Sequence, residues 1–333
     1  MIRPPEFWSH EGFLPRLLSP LAALVVGGSR MVRLFKVPHR TSVPVICIGN
    51  ATVGGAGKTP TVLTVVEHLT RTGERPHILT RGYGGRERGP IRVDPMRHDA
   101  AAVGDEPLLL ARSAPTWVGG NRRATSAAAE AAGATCLVMD DGFQNPSLNK
   151  DLSFLVVDAG FGFGNGRVMP AGPLREPPGV ALGRADAVVL VGDGDRGDDH
   201  PLARWPGPVL RAKLVAAREA ADRLRGHRVA AFAGIARPQK LVETLHAIGC
   251  EVTVTHFFPD HHPYRAEEVM AIVAAATAAE AVPVTTEKDA VRLPANARRM
   301  VEVLPVSLVV ENMPLLDRLL RTGLARGRAA IGD

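Results

Sequence analysis

The residues best suited to chemistry lie in one stretch, Gly49-Asn50-Ala51-Thr52-Val53-Gly54-Gly55-Ala56-Gly57-Lys58-Thr59-Pro60. Glycines spaced in this way let successive backbone N–H groups turn inward on an anion, and a following helix adds the positive end of its dipole. A lysine at the end of such a loop reaches the β- and γ-phosphates of a nucleotide, and the next hydroxyl, Thr59, is placed to ligate Mg²⁺. Thr52, Val53, Gly54, Gly55, Ala56, Gly57, Lys58 and Thr59 are therefore the candidate phosphate cradle. Thr52 departs from the eight-residue pattern, which opens on glycine.

Four further groups are chemically suggestive. An apolar run, Thr135 to Met139, ends in Asp140-Asp141-Gly142-Phe143-Gln144, as a Walker B strand does, and a carboxylate there can hold Mg²⁺ directly or through water. Asp105 stands just before a helix with Pro107 in its first turn, so helix capping is its plainest role. Phe257-Phe258-Pro259-Asp260-His261-His262-Pro263-Tyr264 carries two adjacent histidines with no third ligand at metal-binding spacing. One of them can instead pair with a carboxylate and relay a proton near neutral pH. Prolines around Arg175 and Glu176 make a rigid loop able to present both at a site.

These residues need elements to position them. Val43 to Ile48 reads as a buried strand before the glycine loop, and Thr61 to Leu69 as the helix after it, the order a P-loop requires. Further strands are expected over 77–80, 135–139, 152–157 and 187–191, with a charged loop through residue 99 and a helix over 121–132. Alternation of this kind predicts an α/β, P-loop NTPase-like, mostly parallel sheet with helices on both faces. A Pro- and Asp-rich stretch over 192–208 looks like a boundary. Beyond it βα units resume, with a last strand over 301–310 and a helix through about 326, which predicts a second, smaller α/β lobe. The expected division is 1–40, 41–205 and 206–333, with a cleft between the two lobes.

The chain has 333 residues, 45% hydrophobic and 22% charged, with a net charge of +6. That composition is globular. The positive balance suits nucleic acid, an anionic membrane or a phosphorylated substrate alike, and no nucleic-acid motif accompanies it. Three well-separated cysteines suggest buried thiols in a reducing compartment, without disulfides or a zinc site. The first forty residues hold six Arg or Lys against two Glu, around an apolar run, Leu17 to Gly28. At about twelve residues that run is too short to span roughly 30 Å of hydrocarbon. The glycine loop follows too soon for a signal peptide. Flanking cations and aromatic residues (Phe7, Trp8, Phe13, Phe35) favour an interfacial helix over a core one.

Taken with Thr80-Arg81-Gly82-Tyr83-Gly84, Gly104-Asp105-Glu106-Pro107, Pro170 to Glu176, Phe232 to Pro238, Asp260 to Tyr264 and Thr285-Thr286-Glu287-Lys288-Asp289, these motifs closely resemble the tetraacyldisaccharide 4′-kinase family of lipid A biosynthesis. The likeness runs in order along nearly the whole chain, and Thr52 fits that family's loop. It implies transfer of the γ-phosphate of ATP, with Mg²⁺, to the 4′-hydroxyl of a tetraacyldisaccharide 1-phosphate. It also implies a peripheral enzyme at the cytoplasmic face of the bacterial inner membrane, expected to be a monomer that binds no nucleic acid. By the same likeness Lys58 and Thr59 contact phosphate and Mg²⁺. Asp105 is the base, paired with His261 (His262 in reserve), and Asp140, ahead of Asp141, holds the metal. Tyr83, Glu106, Gln144, Arg175 and Glu176 serve substrate or support. Asn145 stands where the family often has histidine, which leaves hydrogen bonding at most. The rivals are a P-loop GTPase or metallochaperone-type switch, to which Thr286-Glu287-Lys288-Asp289 comes near as a guanine motif, and a membrane-bound ATP-binding adaptor.

Overall fold

The computed structural model describes residues 5–194 and 201–332. Among the described residues, thirteen strands form two sheets: β1 (Val45–Gly49), β2 (Pro76–Thr80), β3 (Ile91–Arg92), β4 (Thr116–Val118), β5 (Cys136–Asp140), β6 (Leu152–Asp158), β7 (Ala187–Val191), β8 (Val209–Ala216), β9 (Arg228–Ala233), β10 (Glu251–Phe257), β11 (Val282–Thr286), β12 (Glu302–Leu304) and β13 (Val306–Val310). The large sheet runs β13-β8-β7-β6-β1-β5-β2-β4-β3. Its pairings are parallel except those of the two outermost strands, β13 with β8 and β3 with β4. The small sheet, β10-β9-β11-β12, is parallel throughout.

The β1 side chains alternate between two cores, as the strand's two-residue period requires. Ile46 and Ile48 pack with Val62, Val65 and Leu69 of α2 (Lys58–Arg71) and Leu316, Leu320 and Leu324 of the C-terminal helix (Met313–Gly332). Val45 and Cys47 pack on the other face with Leu137, Met139 and Phe143. Because β1 is buried on both faces, its sequence reads as one continuous apolar run.

The C-terminal division differs from the expected 206–333. β8, β13 and the C-terminal helix belong to the large sheet's layers. The small sheet is thus an insertion between β8 and β13, entered near Ala217 and left at Pro305, where Ala217 N–H donates to the Pro305 carbonyl at 2.9 Å. The run 301–310 is two strands rather than one, because Pro305 lacks an N–H and breaks the ladder. β12 ends in the small sheet and β13 starts in the large one. Part of the boundary expected over 192–208, namely 195–200, lies outside the described residues, as does 1–4 of the N-terminal segment.

The N-terminal helix α1 (Phe13–Phe35) has 23 residues, well beyond the twelve-residue apolar run, and by length and composition alone it could cross a membrane. Pro15, Leu18, Ser19, Ala22, Val26, Ser29 and Arg33 are its covered positions, recurring every three or four residues along one stripe. Such a stripe is one face of a helix. Leu18, Ala22 and Val26 pack on the β1 face that carries Phe143. Ser19 Oγ accepts from Arg167, and Arg33 donates to Glu176. Tied at both places, α1 lies along the domain. Its other faces leave Phe13, Leu17, Leu24, Leu34 and Phe35 at least 60% exposed.

Candidate active site

The loop after β1 turns as a phosphate cradle does. Gly54 and Gly57 take positive φ, and α2 starts directly at Lys58. Thr52 needs no such freedom. Its backbone forms an antiparallel bridge with Leu174, and its hydroxyl accepts from Asn50 Nδ2 at 3.2 Å. An extended, paired residue suits a β-branched side chain, which accounts for a threonine at the pattern's first glycine. Val53 N–H donates to Pro173 O, and Arg175 N–H to Ala51 O, so the 170–176 loop is laced to the cradle. Lys58 Nζ donates to Asn50 Oδ1 at 3.2 Å and stands 3.8 Å from Asp141.

β5 delivers the two aspartates to different surroundings. Asp140 is fully buried. Its Oδ2 accepts from Thr80 Oγ1 at 3.2 Å, while Oδ1 has no hydrogen-bond partner among the described residues. Burial, with Glu106 and Asp141 close by, pushes its carboxyl up to about 7. Asp141 accepts from Arg175 Nη1 on both oxygens at 2.9 Å. Burial alone would raise it, but Lys58 and Arg175 outweigh burial and hold it below the usual carboxylate range.

Across the cleft, His261 Nδ1 lies 2.9 Å from Asp105 Oδ2. Asp105 opens the Asp105–Leu110 helix, and its carboxylate accepts from the Glu106 N–H at 2.9 Å; the cap position itself is Gly104. Gly104 sits at φ 93°, and a Cβ there would come 2.5 Å from the Tyr83 carbonyl. This close approach seats the Tyr83 ring 5.5 Å from that of His261. Burial would raise the Asp105 carboxyl, but His261, Lys288 and Arg292 outweigh it and hold it low. His262 turns away to Glu268 at 3.2 Å. His261 (φ 60°) and Asp141 (φ 50°) are two of three non-glycine residues with positive φ among the described residues. Backbone strain of this sort persists where surroundings over-determine it and collects at functional sites.

The two halves meet at Glu106. Its charge acts on Asp140, and its Oε1 accepts from Lys288 Nζ at 3.0 Å. Lys288 is also 3.4 Å from His261 Nε2 and 3.8 Å from Asp260. Burial would favour neutral Lys288, but Glu106, Asp105 and Asp260 outweigh it and keep the ammonium charged. Gln144 Nε2 donates to Asn50 O and to Glu176 Oε1, both at 2.9 Å. Glu176 is buried among Arg33, Arg184 and Gln144, a supporting position. Asn145 caps its own turn, accepting from Ser147 N–H at 2.8 Å.

Sequence analysis gives Arg292 no role, and Lys288 and Asp289 only a place in the near guanine motif. Asp289 accepts from Gly234 N–H, Tyr264, Thr286 and Arg292. Arg292 in turn stands 3.4 Å from Asp105 and donates to the carbonyls of His262 and Gly234. The signal available was a pair of cations four apart just after a strand; the short helix that starts there ends at Ala290, and Arg292 follows in the turn. With Asp289 completely buried in these contacts, it cannot read a guanine base, and the guanine-motif reading falls.

A profile of the family described as tetraacyldisaccharide-1-P 4′-kinase matches residues 14–324. The chain belongs to that family. Proteins named tetraacyldisaccharide 4′-kinase from Rhodospirillum centenum and Paramagnetospirillum magneticum are 52% and 51% identical to it, over 96% of this chain and 96% and 99% of theirs. LpxK from Aquifex aeolicus, solved in complex with ATP, is 24% identical and superposes with a TM-score of 0.73 over 94% of this chain and all of that one. At that identity the superposition speaks for the fold.

Proposed function

We propose that the chain transfers the γ-phosphate of ATP to the 4′-hydroxyl of a tetraacyldisaccharide 1-phosphate, giving the 1,4′-bisphosphate of lipid A biosynthesis. The observation that carries this reading is the convergence of a phosphate cradle and an Asp105–His261 pair on one cleft, joined through Glu106 and Lys288. Lys58 and the backbone N–H groups of residues 54–59 bind the donor phosphates, while the Val53 N–H is held by the Pro173 carbonyl. Asp105 and His261 orient the acceptor hydroxyl and take its proton as the oxygen–phosphorus bond forms and ADP leaves. Tyr83 and Arg81 line a cavity of about 500 Å³ beside His261, a route for the sugar.

The residues fit Mg²⁺. Among the described residues no cluster of three or more His, Cys, Asp or Glu would cage a metal, but Mg²⁺ beside a nucleotide keeps waters and phosphate oxygens and needs only one or two carboxylates. Asp140 Oδ1, buried without a partner among the described residues, offers such a ligand, with Thr59 across the cradle and Asp141 already engaged by Arg175. The metal would neutralise charge growing on the transferred group. α1 supports peripheral attachment at the cytoplasmic face of the inner membrane. Its docked stripe holds the domain while its apolar faces and the flanking Arg16, Arg30 and Lys36 meet an anionic surface.

Labelled ATP, Mg²⁺ and the tetraacyldisaccharide 1-phosphate test the reading. Label appearing on the sugar is the expected outcome. Hydrolysis to free phosphate alone would favour a switch, and neither product an adaptor.

A further inference from the structure

Glu176 connects two parts of the molecule with no sequence proximity. On one side it accepts from Arg33 Nη2 of α1 at 2.8 Å and from Arg184 at 2.5 Å. On the other it accepts from Gln144 Nε2, which donates equally to the carbonyl of Asn50, the residue whose side chain holds Lys58 Nζ. Its neighbour Arg175 grips Asp141, the second group beside Lys58. The Glu176 side chain is 3% exposed and that of Arg33 22%. Charge-assisted bonds in such surroundings are short, strong and geometrically demanding. Of the basic residues on α1, Arg33 is the one whose side chain joins this network; Arg30 is exposed and has no ion pair among the described residues.

We infer that Arg33 is a positioning residue for phosphoryl transfer: it couples the seat of α1 on the domain to the placement of Lys58, through Glu176 and Gln144. The γ-phosphate's lysine is then aligned when α1 is docked with Arg33 inward, so the membrane-facing helix and the nucleotide cradle report on each other. The inference rests on the kinase reading above, and its experiment separates the two.

The test is Arg33→Gln with Arg33→Lys as the conservative rescue, in the full-length protein. In detergent micelles, Arg33→Gln should lower kcat about tenfold, roughly one lost alignment contact's worth of barrier, with KM for ATP and the melting temperature near those of the wild type. Arg33→Lys should recover most of the rate. Amide hydrogen exchange of residues 49–57 should quicken in Arg33→Gln but not in Arg30→Gln. A micellar kcat within twofold of wild type overturns the inference. So does a loss seen only on anionic vesicles and matched by Arg30→Gln, since the charge would then act on the membrane. If the wild type phosphorylates no lipid, the kinase reading fails, and unchanged exchange in 49–57 still decides the coupling separately.

Discussion

Asp140 gives the sharpest prediction, because its two jobs pull against each other. A carboxylate with one oxygen unpartnered among the described residues, in a fully buried site, is costly to ionise unless a cation arrives. Its rise from 3.8 to about 7 sets the size. At ~1.4 kcal/mol per pH unit the ceiling is about 4 kcal/mol, and sharing with Glu106 and Asp141 reduces it to about 2 kcal/mol. The sign follows from the direction. The unfolded carboxyl loses its proton near 3.8 and the folded one near 7, so the folded state binds more protons between them. Stability from this group is full below 3.8 and is lost as pH rises to about 7. Asp140→Asn removes that loss. Without metal or nucleotide, the variant should match the wild type near pH 4 and exceed it by about 2 kcal/mol at pH 8, while its kcat falls by a factor of a hundred or more. Urea titrations at both pH values with and without MgATP are the assay, and added MgATP should narrow the gap at pH 8. A stability difference independent of pH would refute the argument, and so would full activity in the variant.

Other outcomes follow from the same contacts. Asp105→Ala should lower kcat about a hundredfold or more while nucleotide binding, read by calorimetry, persists; near-normal turnover would return Asp105 to a structural part at the helix start. Lys288→Met, which strips the cation between Glu106 and His261, should lower kcat and displace the acidic limb of its pH profile, and an unmoved profile would count against Lys288 acting on the pair. Leu17→Asp with Leu24→Asp, at positions 60% and 73% exposed, should weaken sedimentation with anionic vesicles without lowering the melting temperature; unchanged sedimentation would sink the interfacial role of α1. Gly49→Ala should destabilise by about 2 kcal/mol, since its Cβ would fall 2.5 Å from that of Phe143, and a wild-type urea midpoint would show that the β1–Phe143 packing can yield.

What could be read from sequence divides along physical lines. The cradle and the strand ending in Asp140 were legible because their geometry is local. A glycine loop ending in Lys-Thr between a strand and a helix carries its turn signals within a dozen residues, and a doubly buried strand such as β1 or β7 is a plain apolar run. β8 was not, since its alternation, with Arg211 and Lys213 exposed, reads like a polar connection after a boundary. Nor was the return of the chain at Pro305, where one run serves two sheets and only long-range pairing says which residues go where. The apolar run in α1 understated the helix for a related reason. Arg30 and Arg33 end the run by composition, yet Arg33 has a buried acceptor in Glu176 and the helix continues past it.

The same distinction explains the second half of the site. Asp105 and His261 were pairable only by resemblance, because residues 156 positions apart share no local signal. What fixes their meeting is a set of partners with no catalytic look of their own. Gly104 admits the Tyr83 loop, Asp289 ties Gly234 to Arg292, and Arg292 stands behind Asp105. Asp289 satisfies four donors at once while completely buried, so losing it would strand several polar groups at a cost of about 1–3 kcal/mol each. The motif Thr285-Thr286-Glu287-Lys288-Asp289 is therefore best understood as two devices in one turn. Asp289 fixes the second lobe's wall, and Lys288 projects from that wall to set the charge felt by Glu106 and His261.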